Sequence, residues 1–146
     1  MQLSRILSCG SILLLAVGLT GCGNAHEIKT VRATGTVTYK GEPVGEAILF
    51  CIPESPQATN AAPNANAETD SDGHFSLSTY GTGDGAVPGT YLVGITKPIP
   101  DPATANSSVP GSINVLPEKY QNPTNSGLKL TVEAGKKNDV KFELTD

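Results

Sequence analysis

Apolar and polar residues alternate in several short segments, and 16 glycines and 11 prolines punctuate a chain of 146 residues. This profile, of many short segments joined by tight turns, predicts an all-β protein. The arrangement it suggests is a single antiparallel β-sandwich of about seven strands, because each sheet then has one apolar face that must meet another.

Before the strands lies a segment of a different kind. Arg5 gives a basic start, Ile6 to Leu19 is apolar, and Leu19-Thr20-Gly21-Cys22 closes the run with small residues before a cysteine. That is the layout of a secretory signal, a short helix of about 14 residues that is too short to span a bilayer. An ordinary secretory cleavage site and a short membrane stub are the alternatives. The four closing residues resemble the lipobox of bacterial lipoproteins. The resemblance implies that the Cys22 thiol receives a diacylglyceryl group and that a peptidase cuts before it. Residues 1–21 then form the signal peptide, 22–30 a lipidated tether, and 31–146 the folded domain. Two or three acyl chains hold firmly where one binds reversibly, each buried methylene adding about 0.8 kcal/mol. By the same resemblance Gly23 is not the aspartate that retains lipoproteins at the inner membrane. The expected location is the cell envelope, membrane-anchored, with the outer membrane favoured.

Val31 to Tyr39 alternates, placing Val31, Ala33, Gly35, Val37 and Tyr39 on one face and Arg32, Thr34, Thr36 and Thr38 on the other. Turn residues from Lys40 to Gly45 lead into Glu46 to Pro53, a near-continuous apolar run read as a strand, hairpin-paired with the first. From Glu54 to about Ala67 there is no periodicity, which reads as a long loop. Asp72-Gly73 then bends a second hairpin into a strand with Phe75 and Leu77 facing inward. Pro88-Gly89 introduces Thr90 to Thr96, with Tyr91, Val93 and Ile95 on one face. Pro98, Pro100, Pro102 and Pro110 argue against any helix or central strand from Lys97 to Leu116, so a surface excursion is expected. Gly127 to Glu133 and Asp139 to Thr145 alternate as closing strands, joined by a hairpin turn at Ala134 to Asn138. The core these faces define is Val37, Leu49, Phe75, Tyr91, Val93, Ile95, Leu130, Val132 and Phe142.

Once the signal is removed, 125 residues remain, enough for one domain and a tether. The net charge of -4 becomes -5 when Arg5 leaves, mildly acidic and evenly spread. Nucleic-acid binding is excluded on that ground, since it needs a basic face. Of three cysteines, Cys9 falls in the signal and Cys22 takes the lipid. Cys51 alone remains in the domain, so no internal disulfide can form, and its apolar neighbours predict a buried core thiol.

The order Gly35-Thr36-Val37, Gly41-Glu42-Pro43-Val44, Ala47 to Pro53, Thr69 to Phe75 and Pro88-Gly89-Thr90-Tyr91 resembles the carboxypeptidase regulatory-like domain over about residues 31–97. The ending Pro117-Glu118-Lys119-Tyr120, with Ser126-Gly127-Leu128 and Phe142-Glu143-Leu144, is similar to small bacterial lipoproteins that carry this domain. The resemblance implies a transthyretin-like (prealbumin-like) sandwich, the immunoglobulin-like sandwich being the other form of this class. It also implies a non-catalytic accessory module with no peptidase chemistry. The transthyretin-like hydrolases of purine breakdown share the fold class, but the ending Phe142-Glu143-Leu144-Thr145-Asp146 lacks their terminal signature.

Catalytic chemistry has little purchase here. His26 lies in the tether and His74 beside a turn, without an organised third metal ligand. Asp70, Asp72 and Asp84 are the calcium candidates; a plain hairpin turn is the alternative reading of Asp70 to Gly73, and Thr79 stands where an EF-hand glutamate would be. No serine sits in a nucleophile elbow. No enzyme activity, metal or cofactor is expected. Two functions remain: a lipid-anchored structural or protein-interaction module with an envelope protein partner, or a module binding glycan or calcium through its loops. Exposed Tyr80 and Tyr120 at one end of the sandwich would favour the second, and their burial the first.

Overall fold

The computed structural model describes residues 28–55 and 62–146. The signal segment, Cys22 and most of the tether lie outside the described residues. The chain is all-β. Its strands are β1 (Ala33–Tyr39), β2 (Glu42–Pro43), β3 (Ile48–Pro53), β4 (Ala65–Glu68), β5 (His74–Ser76), β6 (Gly89–Thr96), β7 (Pro98–Pro100), β8 (Ser112–Asn114), β9 (Leu128–Val132) and β10 (Asn138–Leu144). Short 3-10 turns occupy Pro102–Thr104 and Glu118–Tyr120.

Two sheets pack face to face. In the first, β1 is flanked by β10 on one side and by β2 and β5 on the other; in the second the order is β4-β3-β6-β9. β7 and β8 form a separate two-stranded ribbon, so the proline-rich excursion contributes no central strand. All pairings are antiparallel except β1 with β10, which run parallel from Ala33↔Asn138 to Tyr39↔Leu144. The nine residues predicted for the core are all buried, joined by Ala33, Ala47, Cys51, Leu77, Leu144 and others. Phe75 and Phe142 stack at 6.1 Å between centroids. Gly35 makes room for them: a Cβ there would lie 2.1 Å from the Val140 carbonyl and 2.8 Å from the Phe75 ring.

The three predicted hairpins are corrected by this topology. β1 turns back on β2 alone, pairing Thr38↔Pro43 and Tyr39↔Glu42, and β3 belongs to the opposite sheet. The Asp72-Gly73 turn forms, with the Asp70 carboxylate accepting the N–H groups of Asp72 and His74, but the strands it joins, β4 and β5, pair in different sheets. β9 pairs with β6 and β10 with β1, so Ala134 to Lys137 bridges the two sheets. The physical reason is common to all three. Strands related by a hairpin lie side by side, whereas strands related by an arch face each other across the core, and both need the same alternation and a polar turn.

The crossings are stabilised by the two buried polar side chains among the described residues, Thr69 and Asn138. The Thr69 hydroxyl accepts from the Ala47 N–H at 2.8 Å and donates to the Val44 carbonyl at 2.6 Å, where β2 gives way to β3. Asn138 accepts from the Glu133 N–H at 2.8 Å and donates to the carbonyls of Glu133 and Lys136, closing the β9–β10 arch. Each supplies hydrogen bonds that a sheet ladder cannot reach where the chain leaves it.

Within the apolar run from Glu46 to Pro53, β3 alternates, with Leu49 and Cys51 buried while Ile48 and Phe50 are 45% and 46% exposed. The predicted loop from Glu54 to Ala67 ends early, because β4 begins at Ala65 and pairs alongside β3, turning Ala65 and Ala67 into the core.

Candidate functional site

The strand directions give the sandwich two unlike ends. The chain enters beside β1, where Val31 bridges Ala86 and the Ile28 N–H donates to the Tyr80 hydroxyl. β1 runs away from this entry for 7 residues, about 23 Å at strand rise. At its far end lie β2, the start of β3 and the end of β6, since Ile48 pairs with Thr96. The β7–β8 ribbon springs from that end. Its base is fixed by Lys97, whose N–H donates to the Asn114 side chain at 2.6 Å and whose carbonyl accepts from Val115.

This distal end carries exposed apolar side chains. Val109 is 80% exposed, and Ile113, Val115 and Ile48 are each a little under half exposed. A groove of about 150 Å³ separates the ribbon from the first sheet, lined by Tyr39, Glu42, Pro43, Val44, Lys97, Val115 and Leu116. Beside it stands a charged cluster. Asp146 accepts from the Tyr39 hydroxyl at 2.5 Å and pairs with Lys40 at 2.7 Å, while the Lys119 ammonium donates to the Asp146 main-chain carbonyl at 2.6 Å. The Lys40 and Tyr39 hydrogen bonds hold the Asp146 carboxyl below its usual range. The same carboxylate raises Lys40 and Tyr39 above theirs. Lys40 and Asp146 are open to solvent and Tyr39 is half-buried, so the cluster organises a surface and adds little to stability.

The calcium candidates are not drawn together. The Asp70 carboxylate is engaged by its own turn, as above. Asp84 serves a different loop, its two oxygens accepting from the N–H groups of Thr79 at 2.8 Å and Tyr80 at 3.1 Å. Burial works to raise the Asp84 carboxyl, but those backbone donors outweigh it and hold the group below its ordinary range. Asp72 is exposed on the Asp70 turn. Among the described residues, no three or more His, Cys, Asp or Glu side chains gather as a metal site. His26 and Cys22 lie outside the described residues.

His74 faces solvent on the outer side of the first sheet, in a shallow polar groove with Thr36, Thr38, Asp139, Lys141 and Glu143. Cys51 is fully buried, and burial pushes its thiol up to about 12, which favours the protonated form. The tyrosines divide. Tyr80 is 44% exposed at the entry end, whereas Tyr120 is buried at the distal end, its hydroxyl accepting the Thr145 N–H at 3.1 Å. Sequence reasoning missed the Tyr39–Lys40–Asp146 cluster, because Asp146 lies more than a hundred residues from the other two. The alternation within β3 that exposes Ile48 and Phe50 was hidden by apolar residues on both faces.

Among the described residues, no helix is long and apolar enough to cross a membrane. No family model, no curated protein and no solved structure matches the chain.

Proposed function

We propose that this chain is a non-catalytic, lipid-anchored module of the cell envelope, held to a membrane through Cys22 and acting by protein interaction at its distal end. The resemblance to the carboxypeptidase regulatory-like domain belongs to the same proposal, as an accessory module without peptidase chemistry. One observation supports the reading above others: the segment leading from Cys22 enters at one end of β1, and the apolar ribbon leaves from the other. A domain tethered at its entry end presents Val109, Ile113 and Val115 away from the bilayer. An apolar patch of that kind is a recognised mark of a protein-binding surface.

The alternative, loop binding of calcium or glycan, has less in its favour. One Asp70 oxygen and both Asp84 oxygens already accept backbone N–H groups, and the two carboxylates serve different turns.

Cell fractionation of the full chain tests the anchor. Cys22→Ser is expected to move the protein from the membrane to the soluble fraction, and unchanged retention would overturn the anchoring. A photoreactive residue at Ile113 tests the docking end in intact cells. A discrete adduct from Ile113, without one from Lys129 on the outer face of the second sheet, is the expected result. Equal labelling from both positions would remove the distal end from the proposal.

A further inference from the structure

β10 lies at the edge of the first sheet. Among the described residues, β10 pairs only with β1, and its other edge meets no strand. The Leu144 carbonyl accepts from the Lys40 N–H, next to β1, so even-numbered residues of β10 direct their backbone groups inward. Asp139, Lys141 and Glu143 therefore direct their N–H and C=O groups outward along the sheet. Thr145 follows the same parity, and its outward N–H is taken by the Tyr120 hydroxyl, which closes the upper end of the edge. What remains is a regular strand without proline, the type of edge most proteins blunt.

On the solvent face of this edge the charges alternate: Lys137, Asp139, Lys141, Glu143. Read backwards, the series is its own complement. An antiparallel copy centred on Val140 sets Asp139 against Lys141 and Glu143 against Lys137, each twice by symmetry. Asp139 and Lys141 are outward-facing strand residues, so their pairing is also a backbone hydrogen-bonded one, while Lys137, just before the strand, meets Glu143 through its side chain. The neighbouring register, centred on Lys141, opposes Lys141 to itself and Asp139 to Glu143, like against like. The register centred on Phe142 needs the Thr145 N–H that Tyr120 already holds. Of these three registers, the one centred on Val140 is selected.

We infer that β10 is a self-association edge: two copies join antiparallel about a two-fold axis at Val140, continuing the four-stranded first sheet into one of eight. The backbone bonds supply the attraction, and the alternating charges, exposed and screened by salt, choose the register.

Sedimentation equilibrium of the full chain in a non-ionic detergent tests this. The wild-type chain is expected to show a monomer–dimer equilibrium. Lys141→Pro removes an outward N–H and no bond to β1, and is expected to weaken the dimer by about tenfold or more. A second variant reverses all four charges, with Lys137→Glu, Asp139→Lys, Lys141→Glu and Glu143→Lys. It remains self-complementary and is expected to dimerise, but opposes like charges to the wild type, so native mass spectrometry of the mixture should show both homodimers and no heterodimer. A wild-type chain that stays monomeric, a dimer indifferent to Lys141→Pro, or free mixing with the reversed variant would each overturn the inference.

Discussion

Thr69 and Asn138 show how single polar side chains decide where this chain changes sheet. Thr69 spans the gap between the Val44 carbonyl and the Ala47 N–H. Thr69→Val keeps shape and burial but leaves both groups unpaired, so urea denaturation should register a loss of about 1–3 kcal/mol. Thr69→Ser, which keeps the hydroxyl, should lose clearly less; equal losses would mean that packing, and not the hydroxyl, closes the crossing. One residue earlier than Ala47, Glu46 sits at φ 57°, a left-handed conformation costing an L side chain about 1 kcal/mol. Neither position is legible in the sequence, because a threonine before a turn and a glutamate before an apolar run have ordinary roles by default. Cys51 is different. An apolar run around a lone thiol leaves it nowhere but the core, and there it lies.

At the scale of elements, the longer strands were legible, while short β2, β4, β7 and β8 and the partners of every strand were not. β1, β6, β9 and β10 alternate clearly, and the inward face predicted for each is the buried one. β4 escaped because its inward residues are Ala65 and Ala67, too small to stand out from the surrounding alanines and asparagines. Pairing failed because alternation reports which face is apolar and says nothing of whether the next strand lies beside that face or across from it. The parallel contact of β1 with β10 is the sharpest instance, since it joins segments about a hundred residues apart. Gly35 is the residue that permits it. Gly35→Ala would place a methyl into the Val140 main chain and against the stacked Phe75 ring. A shift there must open the β1–β10 ladder, and chemical denaturation should show a loss at or above the usual 1–3 kcal/mol of overpacking. An unchanged midpoint would mean that the ladder flexes freely at Val140. Val93→Asp is harsher, burying a charge between the sheets without a partner, and should cost several kcal/mol and abolish folding.

For the whole molecule, a core without a disulfide ties its stability to solvent conditions. Cys51 is the only free cysteine among the described residues, and it is buried. Burial raises its thiol from the usual value near 9.0 to about 12, and raises the Tyr91 phenol from 10.0 to about 12. Tyr91 is held in place by its hydroxyl, which donates to the Val87 carbonyl at 2.8 Å. Both groups are neutral acids kept protonated by the fold. Their contribution is complete below the unfolded-state value and lost as pH rises through the folded one, because the unfolded chain then releases a proton that the native state retains. Between pH 9 and 10 the thiol alone should lower stability by about 1 kcal/mol, approaching about 1.4 kcal/mol per pH unit above that, where the phenol should steepen the fall. Cys51→Ala separates the two. It should lower stability at neutral pH through the small cavity it leaves, yet hold its urea midpoint nearly level between pH 9 and 10, where the wild-type midpoint declines. Parallel decline of both proteins over that interval would show that the thiol is not the group that titrates, and that the core admits hydroxide or loosens before Cys51 loses its proton.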